Sequence, residues 1–178
     1  MGCDIHAYLE RKKHGSKEKD KGINYWVNKG DAEVDRNYEL FALLADVRNG
    51  NGIKPISQPK GEPSDGWENE FSREFKEYLA SWEGDAHSLS YLTLAELKNA
   101  SLDQEFYDES LITEKDKDGK IIGTCAWTNG EHLGVVGNRK LFELWGRSSW
   151  NDLIQKLEDI KTSNHTDEDV RIVFFFDN

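Results

Sequence analysis

Seven residues near the end of the chain, Val170-Arg171-Ile172-Val173-Phe174-Phe175-Phe176, constrain its fold more than any other segment. The run is short, nearly continuous in apolar character and shows no alternation that would leave one face for water. Such a segment reads as a strand buried on both faces, central in a sheet. Burying it demands large apolar partners from a chain that is only 37% hydrophobic and 32% charged. The 11% aromatic content supplies them, because six Trp, six Tyr and eight Phe bury more area per residue than aliphatics do. A disordered chain would lack these residues.

At 178 residues a single core is the default. The remaining segments fill in an α+β pattern. Cys3 to Arg11 alternates, with Cys3, Ile5, Ala7 and Leu9 on one side and Asp4, His6 and Tyr8 on the other. Lys12 to Lys21 is nearly all charged and reads as a solvated hairpin loop, with Ile23 to Val27 as the returning strand. Asp35 is placed to cap a helix carrying Tyr38, Phe41, Leu44 and Ala45, which Asn49-Gly50 stops. A second helix is expected from Asp65 or Gly66 to Trp82, with an aromatic stripe of Trp67, Phe71, Phe75 and Tyr78. Thr93 opens a third through a capping box with Glu96. Glu105–Glu114 and Lys120–Trp127 form a hairpin around Asp118-Gly119, and Ser149 caps a last helix. The expected fold is α+β: one domain over residues 1–178, a mixed β-sheet with the N- and C-terminal strands central, and about four packing helices.

Residues 48–66 differ in character from the rest. All three prolines (Pro55, Pro59, Pro63) fall there with four glycines, which marks a candidate lid or binding loop.

Net charge of −11 excludes sequence-independent binding to DNA, which needs a basic face, but leaves room for a small anionic ligand in a local cationic pocket. No segment is long and apolar enough to span a membrane, and no secretory leader is evident. His6 stands where a myristoylation signal needs Ser or Thr. The two cysteines, Cys3 and Cys125, are expected as reduced thiols in a cytoplasm, with Cys3 a small hydrophobe of the core.

Two Asp-x-His pairs stand out. Asp4 and His6 share one face of a strand, and Asp85 and His87 repeat the spacing after Gly84. Convergence of the two, with Asp177 at the end of the last strand, would give a metal site for Mn, Mg, Zn or Fe, or an acid–base site. The structural alternative has Asp4 or Asp85 capping backbone N–H groups and the histidines hydrogen-bonded at the sheet edge. On the catalytic reading His6, His87 and Asp85 carry the chemistry, and Asp4, His6, Asp85, His87 and Asp177 are the metal ligands. Glu131-His132 is a weaker candidate, and His14 and His165 read as spectators. Arg48 and Lys60 are candidates for phosphate, with Arg139 and Arg147 behind them. Trp67 and Tyr91, then Trp82 and Trp127, are candidates for stacking a base, although most such aromatics belong to cores. No P-loop, dinucleotide fingerprint or serine triad order is present.

The opening Met1-Gly2-Cys3-Asp4-Ile5-His6 resembles the start of a family of uncharacterised phage and prophage proteins. The likeness continues through Asn37–Ala45, Val47-Arg48-Asn49-Gly50, Pro55-Ile56-Ser57, Pro59-Lys60-Gly61, Asp85–Leu97 and Phe176-Asp177-Asn178. Ala86 and Tyr91 depart from the family's usual Gly and Trp, and Lys60 from its usual Arg, which weakens a bidentate phosphate role there. The resemblance implies a protein working in the cytoplasm of an infected host, and carries no activity with it. By analogy of lifestyle, such a protein counters host defence by acting on a nucleotide immune signal. Three expectations follow: a phosphodiesterase-type hydrolase, a non-catalytic sponge for a cyclic nucleotide or ADP-ribose-type signal, a class whose pockets are often made at homo-oligomer interfaces, or an acidic inhibitor of a protein partner.

Overall fold

A computed structural model describes residues 2–13, 25–64, 66–115, 117–118, 121–125, 134–140 and 146–178, with side chains at all of these except 67, 106–115, 121–125, 134–140 and 146–149. The described strands are β1 (Ile5–Lys12), β2 (Trp26–Asp31), β3 (His87–Thr93), β4 (Glu105–Lys115), β5 (Ile121–Cys125), β6 (Gly134–Lys140) and β7 (Val170–Phe176). The helices are α1 (Tyr38–Ala45), α2 (Arg73–Ala80), α3 (Leu94–Lys98) and α4 (Gly146–Asp159). Most of the expected charged loop and the start of its returning strand lie outside the described residues.

The α+β class holds. A four-stranded sheet runs β2-β1-β7-β3, so the N- and C-terminal strands are its centre; β5-β4-β6 form a second sheet. Every pairing in the first sheet is antiparallel, where the sequence led us to expect a mixed sheet. That expectation came from the unbroken apolar run of β7, which resembles an interior parallel strand. In this fold an antiparallel strand is buried on both faces because helices cover both. On one face Ile172, Phe174 and Phe176 pack with Ile5, Ala7, Leu9, α1 and the apolar stripe of α4. On the other, Val173 and Phe175 pack with Phe71, Phe75, Tyr78 and Trp82. Phe41 meets Phe176 at 5.0 Å between ring centroids, and Phe75 meets Phe175 at 6.0 Å on the opposite side. Fully burying one such phenylalanine contributes about 1.5–3 kcal/mol.

Local chemistry sets the helix ends. The side chain of Asn37, not Asp35, accepts from Leu40 N and caps α1, and Asp46 closes it in the left-handed region at φ 60°. Thr93 and Glu96 form the expected reciprocal capping box. The expected helix of 65–82 is broken into a 3-10 turn, Trp67–Asn69, and α2. α4 begins at Gly146, ahead of the expected cap at Ser149. No helix among the described residues is long and apolar enough to cross a membrane.

The 48–66 segment is tied to its surroundings. The Asn49 amide bonds both N and O of Ile53, at 2.8 and 2.6 Å. Ile56 N donates to Leu43 O, Lys60 N to the Ser90 hydroxyl and Gly61 N to Leu89 O.

Candidate functional site

β1 begins, β7 ends and β3 begins at the same end of the sheet, since Ile5 and His87 both lie opposite Phe176. This gathers Asp4, His6, His87, Asp177 and Asn178 at one sheet end. The two Asp-x-His pairs nevertheless do not converge. His6 lies opposite Phe175 and stacks on its ring at 4.9 Å, whereas His87 lies opposite Phe176 with its ring at 6.0 Å. Adjacent residues of a strand face opposite ways, so the two imidazoles are on opposite faces of the sheet.

His6 is held on every side. The Tyr78 hydroxyl lies 2.9 Å from Nδ1, the Trp82 ring is 4.3 Å away, and Nε2 lies 3.5 Å from Asp177 Oδ2. That last distance is within ion-pair range for a protonated ring, but the geometry makes no hydrogen bond, and Nε2 is sealed from solvent. Asp177 is fixed in turn, because its Oδ1 accepts from Asp4 N at 2.9 Å. The Asp177 carboxylate thus caps the N-terminal end of β1, a role the structural alternative had given to Asp4 or Asp85.

Asp4 points elsewhere. Both of its oxygens take the Arg36 guanidinium at 2.6 Å, a bidentate and half-exposed pair. The Arg36 hydrogen bonds hold the Asp4 carboxyl below its ordinary value. Arg36 also lies against Gly2, where an added Cβ would stand 3.0 Å from Nη1.

On the second face, His87 Nδ1 contacts the Ser88 hydroxyl at 3.0 Å and Nε2 is buried with no protein hydrogen bond. Ser88 takes φ 51°, at the irregularity between His87 and Ser90 where β3 slips against β7. Arg48, also left-handed at φ 54°, reaches Asn178 Oδ1 at 3.0 Å. Burial pushes the neighbouring Cys3 thiol up, partly offset by Arg48, so Cys3 is the small core residue expected. Asp85 is exposed beyond Trp82.

Lys60 and Tyr91 lie together, with Nζ 4.6 Å from the ring centroid. Lys60 is also paired with Glu96 Oε1 at 2.6 Å, so the capping-box glutamate already holds this cation. Trp67 stands in the 3-10 turn; its side chain, and those of Trp127, Arg139, Arg147, Glu131 and His132, lie outside the described ones. Among the described residues no three His, Cys, Asp or Glu side chains form a group able to hold a metal ion.

Sequence reasoning missed three participants. Tyr78 was taken only as part of a core stripe. Arg36 becomes visible only once it folds onto Asp4. The third is a buried ion pair directly across the central strands: Arg171 Nε donates to Glu10 Oε2 at 2.8 Å, and the two side chains are 2% and 0% exposed. Arg171 also donates to the Asn69 and Glu70 carbonyls at 3.0 Å each, while Glu10 Oε1 accepts from Ser72 N at 2.8 Å. The Trp26 ring covers the guanidinium at 3.9 Å. Burial pulls the Arg171 guanidinium below its ordinary value, opposed by Glu10.

Two concavities bear on a ligand. A groove of about 270 Å³ runs beside His6, Tyr8 and Tyr78, and its far wall is acidic, with Asp31, Glu33 and Asp35. That wall repels a phosphate. A larger cavity of about 390 Å³ lies away from the histidines, against Lys54, Pro55 and Ile56 of the Pro/Gly segment. Comparison with known families, curated proteins and solved structures gave no match to this chain.

Proposed function

We propose that this chain is a counter-defence protein that captures a small nucleotide-type immune signal in the host cytoplasm and withholds it without cleaving it. The observation that carries the reading is the burial of both imidazole Nε2 atoms on opposite faces of the sheet. A general acid or base must come within hydrogen-bond reach of the atom it serves. Neither Nε2 is open to a substrate, and the two cannot act on the same bond. Binding makes no such demand: it needs a shaped, largely preformed pocket with a few polar groups. The phage setting comes from the resemblance of the opening and loop motifs, and the nucleotide class from lifestyle analogy.

The test is chromatography of purified protein mixed with cyclic dinucleotides and cyclic ADP-ribose isomers, with and without Mn²⁺ and Mg²⁺, before and after heating. Sequestration removes one compound from free solution and returns it intact on heating. A new product overturns that reading in favour of hydrolysis, which one observation supports: His6 is wedged between a phenol and a carboxylate. In that case His6→Ala should abolish turnover. If no compound is retained or converted, the nucleotide reading falls altogether.

A further inference from the structure

We propose that the cavity walled by Lys54–Ile56, α1 and α3 is the ligand site, and that it takes a single purine nucleotide unit; this rests on the sequestration reading above. Its volume, about 390 Å³, stands near the low end of the ~300–1,000 Å³ typical of small-molecule sites. That is room for one nucleotide unit.

The wall is built by hydrogen bonds that have no other evident task. Gln104 spends its whole amide on it: Oε1 accepts from Lys54 N at 2.7 Å, while Nε2 donates to Lys54 O at 3.1 Å and Ser101 O at 3.0 Å. From the other side Ile56 N is bonded to Leu43 O at 2.7 Å. The loop is thereby held in place before any ligand arrives, which lowers the ordering cost of binding.

The lining divides by chemistry. Leu43, Ile56, Ala95 and Ala100 give an apolar surface for the face of a flat ring. At the rim stand one exposed cation, Lys54, and the exposed Asn99 and Glu168. Glu96 also borders the cavity, but its two oxygens are taken by Lys60 and Thr93 N. A ligand that satisfies this rim carries an anionic group for Lys54 and a donor-bearing edge for the Glu168 carboxylate. Purine nucleotides with an exocyclic amino group meet both demands.

The test is calorimetric titration of the whole chain with AMP, GMP, adenosine and inorganic phosphate. Lys54→Glu and Ser101→Trp both alter exposed residues, so neither should disturb folding, and thermal melting checks this. The expected result is nucleotide binding weakened at least tenfold by Lys54→Glu, adenosine binding unchanged by it, and both abolished when Ser101→Trp fills the cavity. Unchanged nucleotide affinity in both variants overturns the site and leaves sequestration standing. Phosphate alone binding as well as AMP overturns the purine part. No binding of AMP or GMP by the unmodified chain overturns this site, and the chromatographic test with cyclic nucleotides decides the sequestration reading separately.

Discussion

Arg171 lies in the middle of the most apolar strand, and its charge is answered from directly across the sheet by Glu10. Removing one partner of such a pair strands the other in a dry interior, at a cost of about 3–5 kcal/mol. Arg171→Met is therefore expected to lower the urea midpoint sharply, while Glu10→Leu combined with Arg171→Met recovers most of the loss. If the double variant is no better than the single, the pair's energy does not lie in mutual neutralisation. Strand alternation in the sequence did place Asp4, His6 and Tyr8 on one side of β1. It could not show that Asp4 would be taken by Arg36, a contact that depends on how the 32–37 connection crosses the sheet end. Nor could it show that a one-residue difference in register would put His6 and His87 on opposite faces. The two Asp-x-His spacings were equal in sequence, but facing depends on which residue of β7 each histidine meets.

Elements were legible where their signals are local. β7 runs over the residues its composition marked, and Thr93 caps α3 with the partner its spacing marked, because both signals lie within a few residues. Thr93→Ala should cost about 1 kcal/mol, read as a lower urea midpoint at unchanged slope. A change in slope instead would mean that the substitution alters more than a cap. Long-range contacts overrode propensity elsewhere. The aromatic stripe from Trp67 to Trp82 fits one continuous helix, but Arg171 takes the Asn69 and Glu70 carbonyls and Glu10 takes Ser72 N. Those are the backbone groups a continuous helix would need, so the helix restarts at Arg73. β3 escaped notice because its first residues, His87-Ser88, are polar and include a left-handed serine. The same tether makes a further prediction. Glu10→Gln keeps the shape but weakens the hold on Ser72 N, so amide exchange in Arg73–Ala80 should accelerate more than in α1; equal acceleration in both would show general destabilisation instead.

At the scale of the whole molecule two electrostatic effects oppose each other as pH falls. The chain carries 34 acidic against 23 basic side chains, so self-repulsion of the net −11 charge destabilises the compact state at neutral pH. Against this stand carboxylates held low by hydrogen bonds: Asp4 by Arg36, Asp46 by Gln58 and Asn49, and Glu158 and Asp167 by Lys161 and Lys98. A carboxyl depressed in the folded state adds stability above its unfolded value, and loses it as pH falls through the folded value. The unfolded values are 3.8 for the aspartates and 4.5 for the glutamate, so these contributions persist down to about pH 5. Lys98 and Lys161, raised by the same partners, keep theirs until pH rises past 10.5. Between pH 7 and about pH 5 ordinary carboxylates begin to take up protons, and repulsion relaxes while the paired groups still hold. The melting temperature should therefore peak near pH 5 and fall steeply below about pH 4. Salt separates the two effects. Raising ionic strength from about 0.01 to about 0.1 M shortens the screening length from ~30 to ~10 Å, which removes the long-range repulsion before it removes contacts under 4 Å. The rise from pH 7 to pH 5 should flatten in salt and the acid collapse remain. A melting temperature that falls steadily from pH 7 downwards would mean that the paired carboxylates outweigh net charge over the whole range.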